Sequence, residues 1–134
     1  LSMPVVMHNQ RVPTAGGMVP GMVITVPGQI HGALGSSGQL VVRFYLPDGT
    51  PLLANSLEPF FRDANGLAAT GTSVIPVTND PANVSRFRLT IPYYALNFQP
   101  TGGRQTYAVQ AQATFYLNQF EKARSNFTPM IIWW

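Results

Sequence analysis

Residues 85–96 leave this chain few ways to fold. Phe87, Leu89 and Ile91 alternate with Arg86, Arg88 and Thr90, the period of two that marks a strand with one buried and one wet face. Pro92 has no N–H to donate and ends the ladder; Tyr93, Tyr94, Ala95 and Leu96 then read as one short helical turn. A two-faced strand needs a second layer over Phe87, Leu89 and Ile91. The remaining chain offers more strands and almost no helix, so that layer is expected to be another sheet.

The strongest of those strands is 39–46, with Leu40, Val42, Phe44 and Leu46 on one face and Gln39, Val41, Arg43 and Tyr45 on the other. Residues 105–117 form the longest, with Tyr107, Val109, Ala111, Ala113, Phe115 and Leu117 inward. A helix over 108–123 is the rival reading, because Ala, Gln, Leu, Glu and Lys are helix formers. The alternation favours a strand to 117, leaving a brief helical turn for 118–124. Further strands are expected at 22–30, with a bend at Pro27-Gly28, and at 72–78, interrupted by Pro76. Pro47-Asp48-Gly49-Thr50 and Ala64-Asn65-Gly66 are turns by composition: proline presets φ, aspartate bonds back to the backbone and glycine takes positive φ. Residues 97–104 reverse the chain. Twelve Gly and twelve Pro spread along 134 residues suit many short strands joined by tight turns.

This predicts an all-β fold: a single antiparallel β-sandwich of about seven or eight strands over 22–125. Before it, residues 1–21 read as an extended N-terminal arm. Prolines and Gly16-Gly17 exclude a helix there, yet the arm is too apolar for a free tail. After it, 126–134 is an apolar C-terminal segment, either the last strand of the domain or a docking tail. Termini are ordinarily polar and frayed, so an exposed run of this kind would mark an interface.

Charged residues make up 10% of the chain, against roughly 25% in an average soluble protein. Such a thin charge layer suits a protein packed against others, and equally an ordinary β-domain with Ser, Thr, Gln and Asn on its outside. The net charge of +3 comes from scattered arginines, without the clustered footprint that nucleic-acid binding needs, so nucleic acid is an unlikely partner. No run approaches a membrane span. No signal peptide is visible, and cytoplasmic and exported locations both fit.

Catalytic constellations are missing. The two histidines, His8 and His31, lack metal-ligand spacing, and there is no cysteine. Asp48, Asp63 and Asp80 sit in or beside turns, where aspartate serves the backbone. No cofactor, metal or catalytic residue is expected, and the chain reads as a non-enzyme.

Three motifs carry a resemblance. Phe44-Tyr45 with Gly49, Pro51 and Leu52, then Phe61-Arg62-Asp63-Ala64-Asn65-Gly66, then Ile91-Pro92-Tyr93 with Ala95 and Leu96 resemble small bacterial β-sandwich domains of C2-like or immunoglobulin-like shape, over roughly 39–117. The resemblance implies a binding or assembly module rather than a catalyst. The calcium-binding aspartate sets of C2 domains and the immunoglobulin Cys–Trp–Cys core are not matched.

The expected function is a non-enzymatic structural or interaction protein, a repeated subunit of a larger assembly with protein partners or self-association. Its contacts would be Val5, Val6, Met7 and Val12 of the arm, with Phe127, Met130, Ile131, Ile132, Trp133 and Trp134 of the tail. The alternative is a ligand-binding module for carbohydrate or nucleic acid, using Arg86, Arg88, Tyr45, Tyr94 and Tyr116.

Overall fold

The computed structural model describes residues 1–54, 60–96 and 106–133. Its strands, in chain order, are β1 (Val5–Thr14), β2 (Gly17–Thr25), β3 (Gln29–Ile30), β4 (Ser37–Tyr45), β5 (Ala69–Gly71), β6 (Ile75–Pro76), β7 (Ala82–Asn83), β8 (Leu89–Pro92), β9 (Thr106–Leu117), β10 (Phe120–Arg124) and β11 (Thr128–Trp133). Single 3-10 turns cover Val84–Arg86 and Tyr93–Ala95, the second being the helical turn expected after Pro92. Among the described residues there is no α-helix.

The protein is all-β with antiparallel pairing throughout. Among the described residues eleven strands lie in three sheets, more strands and more sheets than the seven or eight expected in one sandwich. A three-stranded sheet has the order β1-β2-β8. A six-stranded sheet is centred on the β4–β9 pair; β10 and β11 share the far side of β9, while β5 and β6 share the far side of β4. β3 and β7 form a small two-stranded sheet.

The inner faces of the two larger sheets meet in one hydrophobic cluster. Met22, Ile24 and Val26 from β2 and the turn after it, with Leu89 and Ile91 from β8, join Leu40, Val42 and Phe44 of β4, Val109 and Phe115 of β9, and Met130 and Ile132 of β11. Each such fully buried side chain contributes about 1.5–3 kcal/mol. Burial along β4 alternates strictly. Two alanines of β9 pair with bulkier inward residues of β4, Ala111 opposite Phe44 and Ala113 opposite Val42.

The segment read as an arm is extended but not free. It carries β1 and the start of β2, a hairpin that pairs Val5 with Thr25 and Thr14 with Gly17. Its prolines fall where the ladder can spare an N–H. Pro13 is on an edge strand, and Pro20 precedes the stretch 21–24 that pairs with β8. The register shifts between Met7 and Gln10, with Asn9 at φ 56°, the geometry of a bulge.

Residues 118–124 are not a helical turn. Asn118 and Gln119, at φ 50° and 72°, make the two-residue connection of a β-hairpin, and β10 runs back along β9. Pairing to β9 overrides the helix propensity of Glu121, Lys122 and Ala123. Asn118 suits positive φ and its Oδ1 accepts the Ser37 N–H (3.0 Å); glutamine has no such tolerance. Gln119→Gly is therefore expected to raise stability by about 0.5–1 kcal/mol. Chemical denaturation measures this, and a loss would contradict the hairpin assignment.

Of the 72–78 strand only Ile75–Pro76 is paired, with Ser37 and Gly38. The two expected turns form as read. Leu46 N–H donates to Thr50 O (2.8 Å) around Pro47-Asp48-Gly49, and Gly66 N–H donates to Asp63 O (3.1 Å). The chain reversal expected over 97–104 lies outside the described residues.

Candidate binding surfaces

The outward residues of β4 and β9 share the wet face of the six-stranded sheet. Arg43 stands at its centre, one strand across from Gln112. Its Nε donates to Asp63 Oδ2 (2.9 Å) and its Nη1 to the Tyr116 hydroxyl (2.7 Å). The guanidinium carbon lies 5.6 Å from the Tyr116 ring centroid. Asp63 comes from the turn after residue 60, and its Oδ1 accepts the N–H groups of Asn65 (2.9 Å) and Leu67 (3.0 Å). One carboxylate thus closes the turn and anchors the arginine.

Burial pushes the Asp63 carboxyl up, but the Arg43 hydrogen bond and the Leu67 and Asn65 N–H groups outweigh it and hold the pKa below the usual value. Burial likewise works against the Arg43 charge, and Asp63 and Tyr116 more than restore it. Around this pair lies an open groove of about 600 Å³ with Gln39, Arg62, Tyr116 and Gln119 in its walls. Phe61 and Gln119, two of its lining residues, have positive φ (55° and 72°), which for a bulky residue is strained.

A second cleft, of about 590 Å³, opens where β1 approaches β9 and β11, with His8, Gln110, Pro129 and Ile131 in its walls. The Thr128 hydroxyl donates to Pro4 O (2.8 Å) and ties the two sheets together there. His8 Nδ1 lies 2.9 Å from the Tyr93 hydroxyl, which also accepts the Asn9 N–H. Burial lowers the His8 pKa below its ordinary value.

Of the residues expected to make protein contacts, Val5 and Met7 are exposed on β1, while Val6 faces the core and Val12 is fully buried. Met130 and Ile132 are interior, and Ile131 between them is 55% exposed. Val12, Met130 and Ile132 therefore do not reach the surface. Phe127 is exposed and meets Tyr45 edge-on, at 5.2 Å between centroids. Trp133 is placed by its backbone, opposite Thr106; Trp134 lies outside the described residues.

Of the residues expected to bind a ligand, Tyr116 alone lines the groove. Arg86 and Arg88 are exposed elsewhere. Arg86 lies over the Phe87 ring (4.9 Å to the centroid), beside a separate pocket of about 210 Å³. Tyr45 is half-buried against Phe127 and Tyr94 is half-buried after β8. The sequence reading missed Arg43, Arg62 and Asp63. Alternation puts Arg43 outward beside Gln39 and Tyr45, but nothing local brings it to Asp63. Among the described residues no group of three His, Cys, Asp or Glu side chains is placed to hold a metal ion.

The chain matches no protein-family model, no curated protein and no solved structure.

Proposed function

We propose that this protein is a non-catalytic assembly subunit that self-associates at the seam where the β1 and β11 edges meet, on a scaffold read as a β-sandwich. The observation that carries the reading is apolar side chains exposed on two strands that each pair on one side only. Among the described residues β1 ends its sheet and β11 pairs with β9 alone; Val5, Met7 and Ile131 are all 46–55% exposed on them. Unpaired strand edges are templates for further pairing. The bulge after Met7 and Pro13 blunt the rest of β1; of the three exposed side chains Ile131 lines the cleft, while Val5 and Met7 extend the apolar surface along β1.

The occupant is a second copy of this chain. A two-fold contact is isologous: residue i meets residue j of the other copy and j meets i, and a residue on the axis meets itself, so like charges oppose each other at the axis. Among the described residues, the seam cleft has no Lys, Arg or carboxylate in its walls, and burial disfavours the charged form of its one histidine. The chain as a whole is thinly charged.

Ile131→Glu places a carboxylate in the contact without touching the core. Light scattering is expected to show a dimer or larger species for the parent and a monomer with unchanged circular dichroism for the variant. Met7→Glu repeats the test on the other strand. If both variants associate as the parent does, the seam is not the contact.

A ligand-binding role is favoured by a separate observation, the groove beside Arg43. Tyr116 is the one residue of the expected ligand set that takes part in it.

A further inference from the structure

We propose that the groove over β4, β5 and the 61–66 turn binds a hydroxyl-rich carboxylate, a uronic-acid oligosaccharide, with Arg62 receiving the carboxylate. The inference rests on the ligand-binding reading of this groove and is independent of association at the seam.

The groove has the size of a ligand site, about 600 Å³, and it holds two arginines against one carboxylate. Arg43 is committed to Asp63 and Tyr116. Arg62 is exposed, and among the described residues no carboxylate lies within ion-pair distance of it. Its position is nonetheless constrained. Arg62 forms a bridge with Ala68, and the Ala69 N–H donates to Phe61 O (3.1 Å). The Arg62 guanidinium lies across the turn, with Nη2 3.1 Å from where a Cβ on Gly66 would stand. Glycine at 66 leaves room for it. A guanidinium fork with its donors unspent matches a carboxylate bidentately.

The remaining walls suit hydroxyls. Gln39 donates its Nε2 to Thr72 O (3.1 Å), which fixes the amide and leaves its oxygen as an acceptor. Asp63 Oδ2 accepts only from Arg43 among the described residues, leaving a lone pair for an O–H. Three of the five Arg43 N–H groups have no acceptor among the described residues. Donors and acceptors held by their own hydrogen bonds discriminate polar ligands, because a ligand lacking the matching groups leaves them unpaired.

Nucleic acid fits less well. Arg43 lies over the Tyr116 ring, and Phe61 is half-buried against the core, so neither offers a free stacking platform. Two arginines offset by one aspartate make a small footprint for a polyphosphate.

The test is isothermal titration of the full chain with trigalacturonate, against neutral galactotriose, inorganic phosphate and a single-stranded oligonucleotide. Trigalacturonate is expected to bind, to weaken with salt, and to weaken about tenfold or more in Arg62→Gln; circular dichroism of that variant should match the parent. Absence of binding by every probe overturns the groove as a ligand site. Galactotriose binding as tightly as trigalacturonate, with Arg62→Gln unaffected and Gln39→Ala weakened, keeps the groove and overturns the carboxylate assignment. Preference for the oligonucleotide or phosphate overturns the saccharide class.

Discussion

Asp63→Ala is expected to lower folding stability by about 2–4 kcal/mol. The carboxylate accepts three hydrogen bonds, from Arg43 Nε, Asn65 N and Leu67 N. Its side chain is 11% exposed and that of Arg43 21%. Truncation would strand a half-buried guanidinium and open the 63–66 turn together. Asp63→Asn separates the two effects, because an amide oxygen still accepts the turn N–H groups while the charge is gone. The sign of the pH dependence follows from the pKa. A carboxyl held below its unfolded value, ordinarily about 3.9, stabilises fully above that value and loses the contribution as pH falls through its folded one. Stability of the parent should therefore decline more steeply in acid than that of Asp63→Asn. A residual slope is expected in the variant, because the Thr50 N–H holds Asp48 low and Arg124 holds Glu121 low. Parallel acid profiles, or a loss within about 0.5 kcal/mol for Asp63→Ala, would remove Asp63 from the anchoring role.

Gly21→Ala is expected to cost about 3 kcal/mol, at the upper end for overpacking. A Cβ at this position would stand 2.4 Å from Ile91 O, 2.6 Å from Val12 Cγ2 and 2.9 Å from Pro92 Cα. Two of those three atoms are backbone of β8, which pairs Pro92 with Gly21. Relief requires the strands to part, and with them the wall that holds Met22 and Ile91 in the core. Gly16→Ala is the control, in the same hairpin with its nearest such atom 4.0 Å away, and should change stability by less than about 0.5 kcal/mol. Equal denaturation midpoints for the two variants would show that β2 and β8 do not approach so closely.

The central β4–β9 pair of the six-stranded sheet was the most legible part of the sequence, because alternation records burial. β4 follows its pattern to Tyr45, but Leu46, read as inward, lies beyond the strand and is exposed; on β9, Gln112 and Thr114, read as outward, are buried along with their inward neighbours. The 47–50 and 63–66 turns form where Pro, Asp and Gly place them. The β1–β2 hairpin was hidden by its prolines, which look like breakers until the edges are known. β10 was hidden because Gln119 takes positive φ without being a turn residue. The C-terminal segment was open to two readings, and it supplies a strand that buries Met130 and Ile132 and turns Ile131 outward. The groove was least legible. Arg43 and Asp63 are twenty residues apart, and only tertiary folding brings them together. Arg86 and Arg88, though close in sequence, line no part of the groove.

The most direct measurement is the solution mass of the unmodified chain by light scattering over a wide range of concentration. Point substitution at Ile131 probes the seam better than truncation, since removing β11 would empty the core of Met130 and Ile132. Self-association predicts a mass that rises with concentration from 14.6 kDa toward twice that value or more. A mass that stays at the monomer value throughout would contradict it.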